Sequence, residues 1–183
     1  MSTGGFRPVT SIGDASYNGR VQTYYVASSH ASNLTVGDLV VETGVADSAT
    51  GIAGVDAASA GGLISGVIVG FKYNPQNLEI TYLPASTAGY VYVAPATEDL
   101  LLTALVDSSG ITVNDVGANA DIVATACTVS GSFAVSNMAI NGSSYGSATA
   151  QIRIVGLVDG ATGSGAKVYC RINESTITGV VGV

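Results

Sequence analysis

Two Gly-rich stretches contain residue types that could carry chemistry, and the first is GATGSGAK at residues 160–167. A phosphate-binding loop needs Gly-Lys-Ser/Thr at the start of a helix, because backbone N–H groups there hold the phosphate oxygens. Here Ala166 separates Gly165 from Lys167, no Ser or Thr follows, and a strand pattern comes next. We therefore interpret this stretch as a hairpin loop.

The second stretch, GSSYG at residues 142–146, fits the G-x-S-x-G pattern with Ser144 as the nucleophile. That pattern places the nucleophile between a strand and a helix, with the base histidine later in the chain. The only histidine is His30, which comes earlier, and no helix is expected after Gly146. Another fold could align His30, an Asp and Ser144, but the sequence gives no sign of it. We interpret the stretch as a turn and predict no catalytic residue and no enzyme.

Neither the acidic residues nor the cysteines form a recognisable metal-binding pattern. The stretch DSSGITVND at residues 107–115 lacks the alternating oxygen ligands and closing Glu of an EF-hand. Cys127 and Cys170 fit no metal spacing and are too few for a disulfide framework. We expect two reduced, buried thiols, with their pairing left open, and we predict no cofactor. A calcium site built from distant loops also stays open.

Four tyrosines cluster within residues 66–95: Tyr73, Tyr82, Tyr90 and Tyr92. Ordinary cross-strand packing is the first interpretation. They could also be aromatic anchors of a subunit interface, where tyrosine is enriched, or stack on a sugar.

Charge is scarce along the whole chain. Charged residues make up 10% of it, and 13 acidic against 6 basic residues give a net charge of −7. Because the basic residues are scattered, nucleic acid and anionic membranes are poor partners. Interface cores are depleted in charge, so we expect much of the surface to be covered by copies of the chain or by another protein. No apolar run reaches the roughly 20 residues of a membrane helix, and the N-terminus lacks the apolar segment of a secretory signal.

Short β-branched and aromatic runs recur with turn signals between them, which indicates an all-β chain of about ten strands. The spacing predicts one antiparallel β-barrel or sandwich-like domain, with a tulip-like open variant as an alternative. Residues 66–95 are predicted to form a three-strand meander, with LEITYL at residues 78–83 as its middle strand. The stretch EDLLLTALVD at residues 98–107 could form a helix or a strand, and its short length favours a strand. The last hairpin is expected around residues 160–165. Residues 1–20 lack periodicity and are predicted to form an extended arm, with the domain spanning 21–183.

The stretch GVIVGFKYNPQNLEITYLPASTAGYVYVAP, followed by DVGANADIV, resembles the decoration or cement proteins of tailed-bacteriophage heads. The shared pattern is a Gly-Phe-ending strand, an Asn-Pro turn, a Pro-Ala-Ser-Thr-Ala connector and a Tyr-Val-Tyr-Val-Ala strand. The resemblance is densest over residues 63–124, with weaker matches near both ends. The sequence departs from the family at APATED, where the family has a more acidic turn.

The resemblance implies a non-enzymatic protein of the outer capsid surface, made in the cytoplasm of a bacterial host. Its partners are then the major capsid protein and itself, as trimers at threefold or quasi-threefold positions. Under this hypothesis the arm, with Phe6, Arg7 and Pro8, lies across neighbouring capsid subunits. Tyr73, Tyr82, Tyr90 and Tyr92 are the candidate subunit-interface residues.

A head-fibre or adsorption protein with a carbohydrate-binding β domain is the alternative. It would use the same tyrosines together with loop acids to bind sugars.

Overall fold

The structure is a computed structural model that describes residues 4–11, 16–74, 77–146 and 148–177. In these ranges the chain forms strands joined by turns and loops, and its helical elements there are two three-residue 3-10 turns, Val113–Asp115 and Val158–Gly160. No helix in this part of the chain has the length and apolarity needed to cross a membrane. The all-β prediction is confirmed.

The strands form a closed barrel and a separate open sheet. In chain order they are β1 (Arg7–Ser11), β2 (Gln22–Val26), β3 (Leu39–Ala46), β4 (Ala53–Ala57), β5 (Gly66–Phe71), β6 (Gly89–Pro95), β7 (Leu100–Leu105), β8 (Asn119–Ala120), β9 (Ile122–Val123), β10 (Thr128–Ser130), β11 (Phe133–Val135), β12 (Ala139–Ile140), β13 (Ile152–Leu157) and β14 (Lys167–Ile172). The barrel has the order β2-β4-β3-β5-β6, and the open sheet has the order β1-β7-β14-β13-β8. Strands β10 and β11 form a hairpin by themselves, and β9 pairs with β12.

One wall of the barrel, made by β3, β5 and β6, is buried on both faces. Successive side chains of a strand point to opposite faces, and here both faces are apolar. The side chains that face the barrel interior are Val40, Ile68, Val91 and Val93, and those that face the core shared with the open sheet are Leu39, Val67 and Ala94. Val67 and Ile68, which point to opposite faces of β5, are both fully buried.

Close contact across this wall explains the glycine at the start of β5. A Cβ on Gly66 would collide with the carbonyl oxygen of Ala94 and with the side chain of Val93. Gly66 lies next to that carbonyl because it pairs with Pro95 in the β5–β6 ladder. Any larger residue would have to push β5 and β6 apart.

The predicted N-terminal arm is wrong for residues 4–11. Strand β1 pairs antiparallel with β7 as the edge of the open sheet, with Arg7 opposite Thr103. Phe6 is only 1% exposed and lies in the shared core, and its N–H donates to the Gly37 carbonyl oxygen at 2.8 Å. The apolar ring has a place in the core, so this segment belongs to the domain, and residue 21 is not a domain boundary.

The predicted middle strand of the meander, residues 78–83, is also wrong. Strand β5 pairs directly with β6, and the residues between them form a long connection. Of the described residues there, Leu83 makes the one β-bridge, with reciprocal N–H···O bonds of 2.9 Å to Leu34. The apolar alternation does not produce a strand, because β3 and β6 already occupy both edges of β5.

The other strand predictions agree with the structure. The leucine-rich run forms β7, and β13 pairs with β14 around the loop that contains residues 160–165. The barrel-or-sandwich alternative resolves into a closed barrel packed beside an open sheet.

Replacement of Phe6 by Ala tests whether the N-terminal segment belongs to the core. We expect Phe6→Ala to lower the free energy of unfolding by about 3–5 kcal/mol, because it leaves a cavity between sheet and barrel. Urea denaturation followed by circular dichroism measures this loss. The control Arg7→Ala, at an exposed neighbour, should change stability by less than about 0.5 kcal/mol. Equal stability of Phe6→Ala and the parent would contradict the placement of Phe6.

Alkaline pH tests the Tyr24–Glu42 hydrogen bond of the barrel. The Tyr24 hydroxyl donates to Glu42 Oε1 at 2.9 Å, and burial, aided by this bond and the Glu42 charge, raises the pKa of Tyr24 to about 12. A tyrosine pKa raised by folding gives stability that is present below the unfolded pKa of about 10 and is lost as pH rises from there toward 12. We expect Tyr24→Phe to be about 1 kcal/mol less stable at pH 8 and to lose less stability than the parent between pH 10 and 12. Identical alkaline losses in the two proteins, measured by urea denaturation, would contradict this.

Candidate functional site

A cleft lies at one end of the barrel, where the chain leaves β5 and returns into β6. Its volume is about 530 Å³, and a smaller hollow of about 280 Å³ adjoins it. We call the two together the tyrosine cleft. The residues that line it include Lys72, Tyr73, Asn74, Leu83, Thr87 and Tyr90, with Ile80, Thr81 and Tyr82 in the smaller hollow.

Tyr90 forms one wall of the tyrosine cleft, and the pleat of β6 explains its position. Val91 is fully buried in the barrel, so the neighbouring Tyr90 points outward. The Lys72 ammonium lies over the Tyr90 ring at 4.8 Å from its centroid, and the Tyr25 ring lies 5.7 Å away at a tilt of 57°. Cation–π attraction therefore holds the Lys72 head group at the cleft.

The Tyr90 hydroxyl is already engaged. It donates to Asp47 Oδ2 at 2.7 Å. Hydrogen bonds from Thr50 and Tyr90 lower the pKa of Asp47, and the bond to Asp47 raises the pKa of Tyr90. Asp47 therefore stays ionised and fixes the orientation of the Tyr90 ring.

The structure brings three of the four predicted tyrosines together. Tyr73 is 71% exposed at the rim of the tyrosine cleft, and Tyr82 is half-buried in the smaller hollow. Tyr92 is not among the lining residues, and it lies in β6 opposite Thr23 and Gly70. Their assignment to a subunit interface stays a prediction.

The three residues predicted to contact the capsid have different environments. Phe6 is buried in the core, so it cannot lie across a neighbouring subunit in this fold, and that assignment is wrong. Arg7 is exposed and Pro8 is half-buried, both on the edge strand β1. A contact role for Arg7 or Pro8 stays a prediction.

Ser144 and His30 have separate local partners. The Ser144 hydroxyl donates to the Asn141 carbonyl oxygen at 2.9 Å and accepts from the Asp121 N–H at 2.8 Å. His30 is buried, and its Nδ1 lies 2.8 Å from the Ala27 carbonyl oxygen. Ser144 thus stabilises a turn, as the sequence predicts.

The acidic residues form no metal site in the part of the chain that the structure describes, and the Gly-rich loop before β14 is a simple connection. Among the described residues, no group of three or more His, Cys, Asp or Glu side chains lies close enough to hold a metal ion. Residues 161–165 are exposed and lead directly into β14, which is the hairpin loop that the sequence predicts.

The hairpin β10–β11 is a surface that the sequence analysis did not single out. Phe133 is 67% exposed, and Val129 and Val135 are also exposed. Among the described residues, neither strand pairs with any strand outside the hairpin. The sequence does mark this surface, because residues 122–152 contain no Asp, Glu, Lys or Arg.

No protein-family model, curated protein or solved structure matches this chain.

The two cysteines are both free. Cys170 is fully buried in the shared core, whereas Cys127 is half-buried, and its Sγ lies 3.4 Å from the Asn33 carbonyl oxygen. Burial raises the pKa of both thiols, that of Cys127 to about 11. The expectation of unpaired thiols agrees with the structure, although only Cys170 is fully buried.

Thiol labelling tests this difference. At pH 8 a pKa of about 11 leaves Cys127 with roughly a hundredfold less thiolate than an ordinary cysteine. We expect iodoacetamide to modify Cys127 slowly and Cys170 only after unfolding, as measured by peptide mass spectrometry. Equally fast modification of both residues in the native protein would contradict their placement.

Proposed function

We propose that this chain is a non-enzymatic virion protein that binds the outer surface of a bacteriophage capsid as homotrimers and holds neighbouring major capsid subunits together. The observation that carries the proposal is the uncharged hairpin β10–β11, which exposes Phe133 and Val135 and pairs with no further strand in the part of the chain that the structure describes. The resemblance of residues 63–124 to head decoration proteins supports the capsid as the partner.

Hydrogen bonds from two neighbouring segments attach the hairpin to the rest of the domain. The Thr81 N–H donates to the Ser132 carbonyl oxygen at 3.0 Å, and the Thr35 hydroxyl donates to the Ala134 carbonyl oxygen at 3.2 Å. Exposed apolar strands with free edges are prone to pair with other chains unless something covers them. A protein partner on this hairpin would remove that hazard.

Composition supports a protein partner over other macromolecules. With a net charge of −7 and only 6 scattered basic residues, the sequence shows no extended basic patch of the kind that nucleic acid or an anionic lipid surface requires. Few charges and an apolar hairpin match the composition of protein interface cores. In a trimer, three weak capsid contacts act together, so that the whole binds far more tightly than one contact does.

A variant of the hairpin tests the proposal directly. Phe133→Asp places a charge at the proposed interface without touching the core, so we expect normal folding and at least a tenfold loss of capsid binding. Capsids that lack this protein are mixed with each variant and sedimented, and bound copies are counted against the major capsid protein. Circular dichroism and light scattering report folding and oligomeric state.

The matched control is Val113→Asp, because Val113 is similarly exposed at 66% but lies in a 3-10 turn. We expect it to bind like the parent. Full decoration by Phe133→Asp would exclude the hairpin as the contact. Failure of the parent chain itself to bind, together with its absence from purified virions by quantitative mass spectrometry, would reject the capsid function. A handful of copies per virion would instead favour a fibre.

A further inference from the structure

We infer that the tyrosine cleft binds an acidic oligosaccharide, with a sugar ring stacked on Tyr73 and a sugar carboxylate bound by Lys72. The inference does not depend on the capsid role, because the cleft is a property of the isolated chain.

The dimensions of the cleft suit a ligand of this kind. Small-molecule sites typically enclose about 300–1,000 Å³, and the main part of the tyrosine cleft has about 530 Å³. Lys72, Tyr73, Asn74, Leu83 and Tyr90 also line the adjoining hollow of about 280 Å³. An elongated ligand can therefore extend from one part to the other, which favours an oligosaccharide over a single sugar.

Tyr73 provides the stacking surface. Its side chain is 71% exposed, whereas the Tyr90 ring is covered by the Lys72 ammonium and its hydroxyl is bound to Asp47. The face of an aromatic ring carries partial negative charge, so it attracts the weakly positive C–H groups on one side of a pyranose. The hydroxyl of Thr87 adds polar lining of the kind that sugar hydroxyls need.

The charge of the lining selects for an acidic sugar. Among the described residues that line the cleft, Lys72 is the one cation and none carries a carboxylate. This is unusual in a chain with 13 acidic and 6 basic residues. The Tyr90 ring holds the ammonium at the cleft, where its N–H donors can form charge-assisted hydrogen bonds to a carboxylate.

A peptide is a poorer fit to this site. Peptides often bind by adding a strand to a free sheet edge. Here the backbone N–H of Lys72 already donates to the backbone carbonyl oxygen of Tyr90 at 2.9 Å, and the strands of the barrel form a closed ring. The described residues of the cleft thus offer side chains and no free strand edge, which is the arrangement that suits a saccharide.

Titration with trigalacturonic acid tests the inference. The ¹⁵N-labelled full chain is titrated in an NMR experiment, and we expect saturable shifts around residues 72–74 and 87–90 with a dissociation constant of about 1 mM or lower. The fully methyl-esterified trisaccharide keeps the rings and removes the charge, and we expect it to bind about 2–5-fold more weakly. Raising the salt concentration should narrow that difference.

Three variants assign the roles. Tyr73→Ala should weaken binding of both trisaccharides about tenfold. Tyr73→Phe keeps the aromatic ring and should bind both with the affinity of the parent. Lys72→Gln should remove the preference for the acid, while the control Lys167→Gln, at an exposed lysine of β14, should not. Absence of saturable binding by the acid, or unchanged binding by Tyr73→Ala, overturns the proposal. Equal binding of acid and ester by the parent overturns the role of Lys72.

Discussion

The fold depends on one barrel wall that serves two cores at once. Strands β3, β5 and β6 each send alternate side chains into the barrel interior and into the core shared with the open sheet. Each fully buried Val, Leu or Ile contributes about 1.5–3 kcal/mol, so the wall stabilises the barrel and the sheet simultaneously. Because the two bodies share this wall, we expect them to unfold together.

The same wall determines where the N-terminal segment lies. Phe6 packs into the shared core beside the start of β3, where the Thr35 N–H donates to the buried Asp38 carboxylate at 2.7 Å. Burial raises the pKa of Asp38, although hydrogen bonds from Ser136 and Thr35 lower it in part. This polar turn and the Phe6 ring together close the junction of barrel and sheet, which leaves no room for a detached arm in residues 4–11.

The sequence predicted what depends on local pattern and missed what depends on distant partners. Alternation in the YVYVAP run correctly predicted a strand where β6 lies. It misassigned residues 78–83, because alternation cannot show that both edges of β5 are taken. Phe6 stands in a Gly-rich stretch, so nothing local revealed its place in a core formed by residues far along the chain. The tyrosine cleft could be anticipated as an aromatic cluster, but Lys72 over Tyr90 could not.

The segment that fails to form a strand is what creates both proposed surfaces. Leu83 ties it to Leu34, and Thr81 ties it to the hairpin through Ser132. Since it does not join a sheet, Tyr82 is left to line the tyrosine cleft. If residues 78–83 formed a regular strand, their backbone groups would bond to a neighbouring strand, and the hairpin would lose the hydrogen bond from Thr81 to Ser132. The exposed apolar side chains of the hairpin therefore depend in part on a segment that belongs to neither the barrel nor the open sheet.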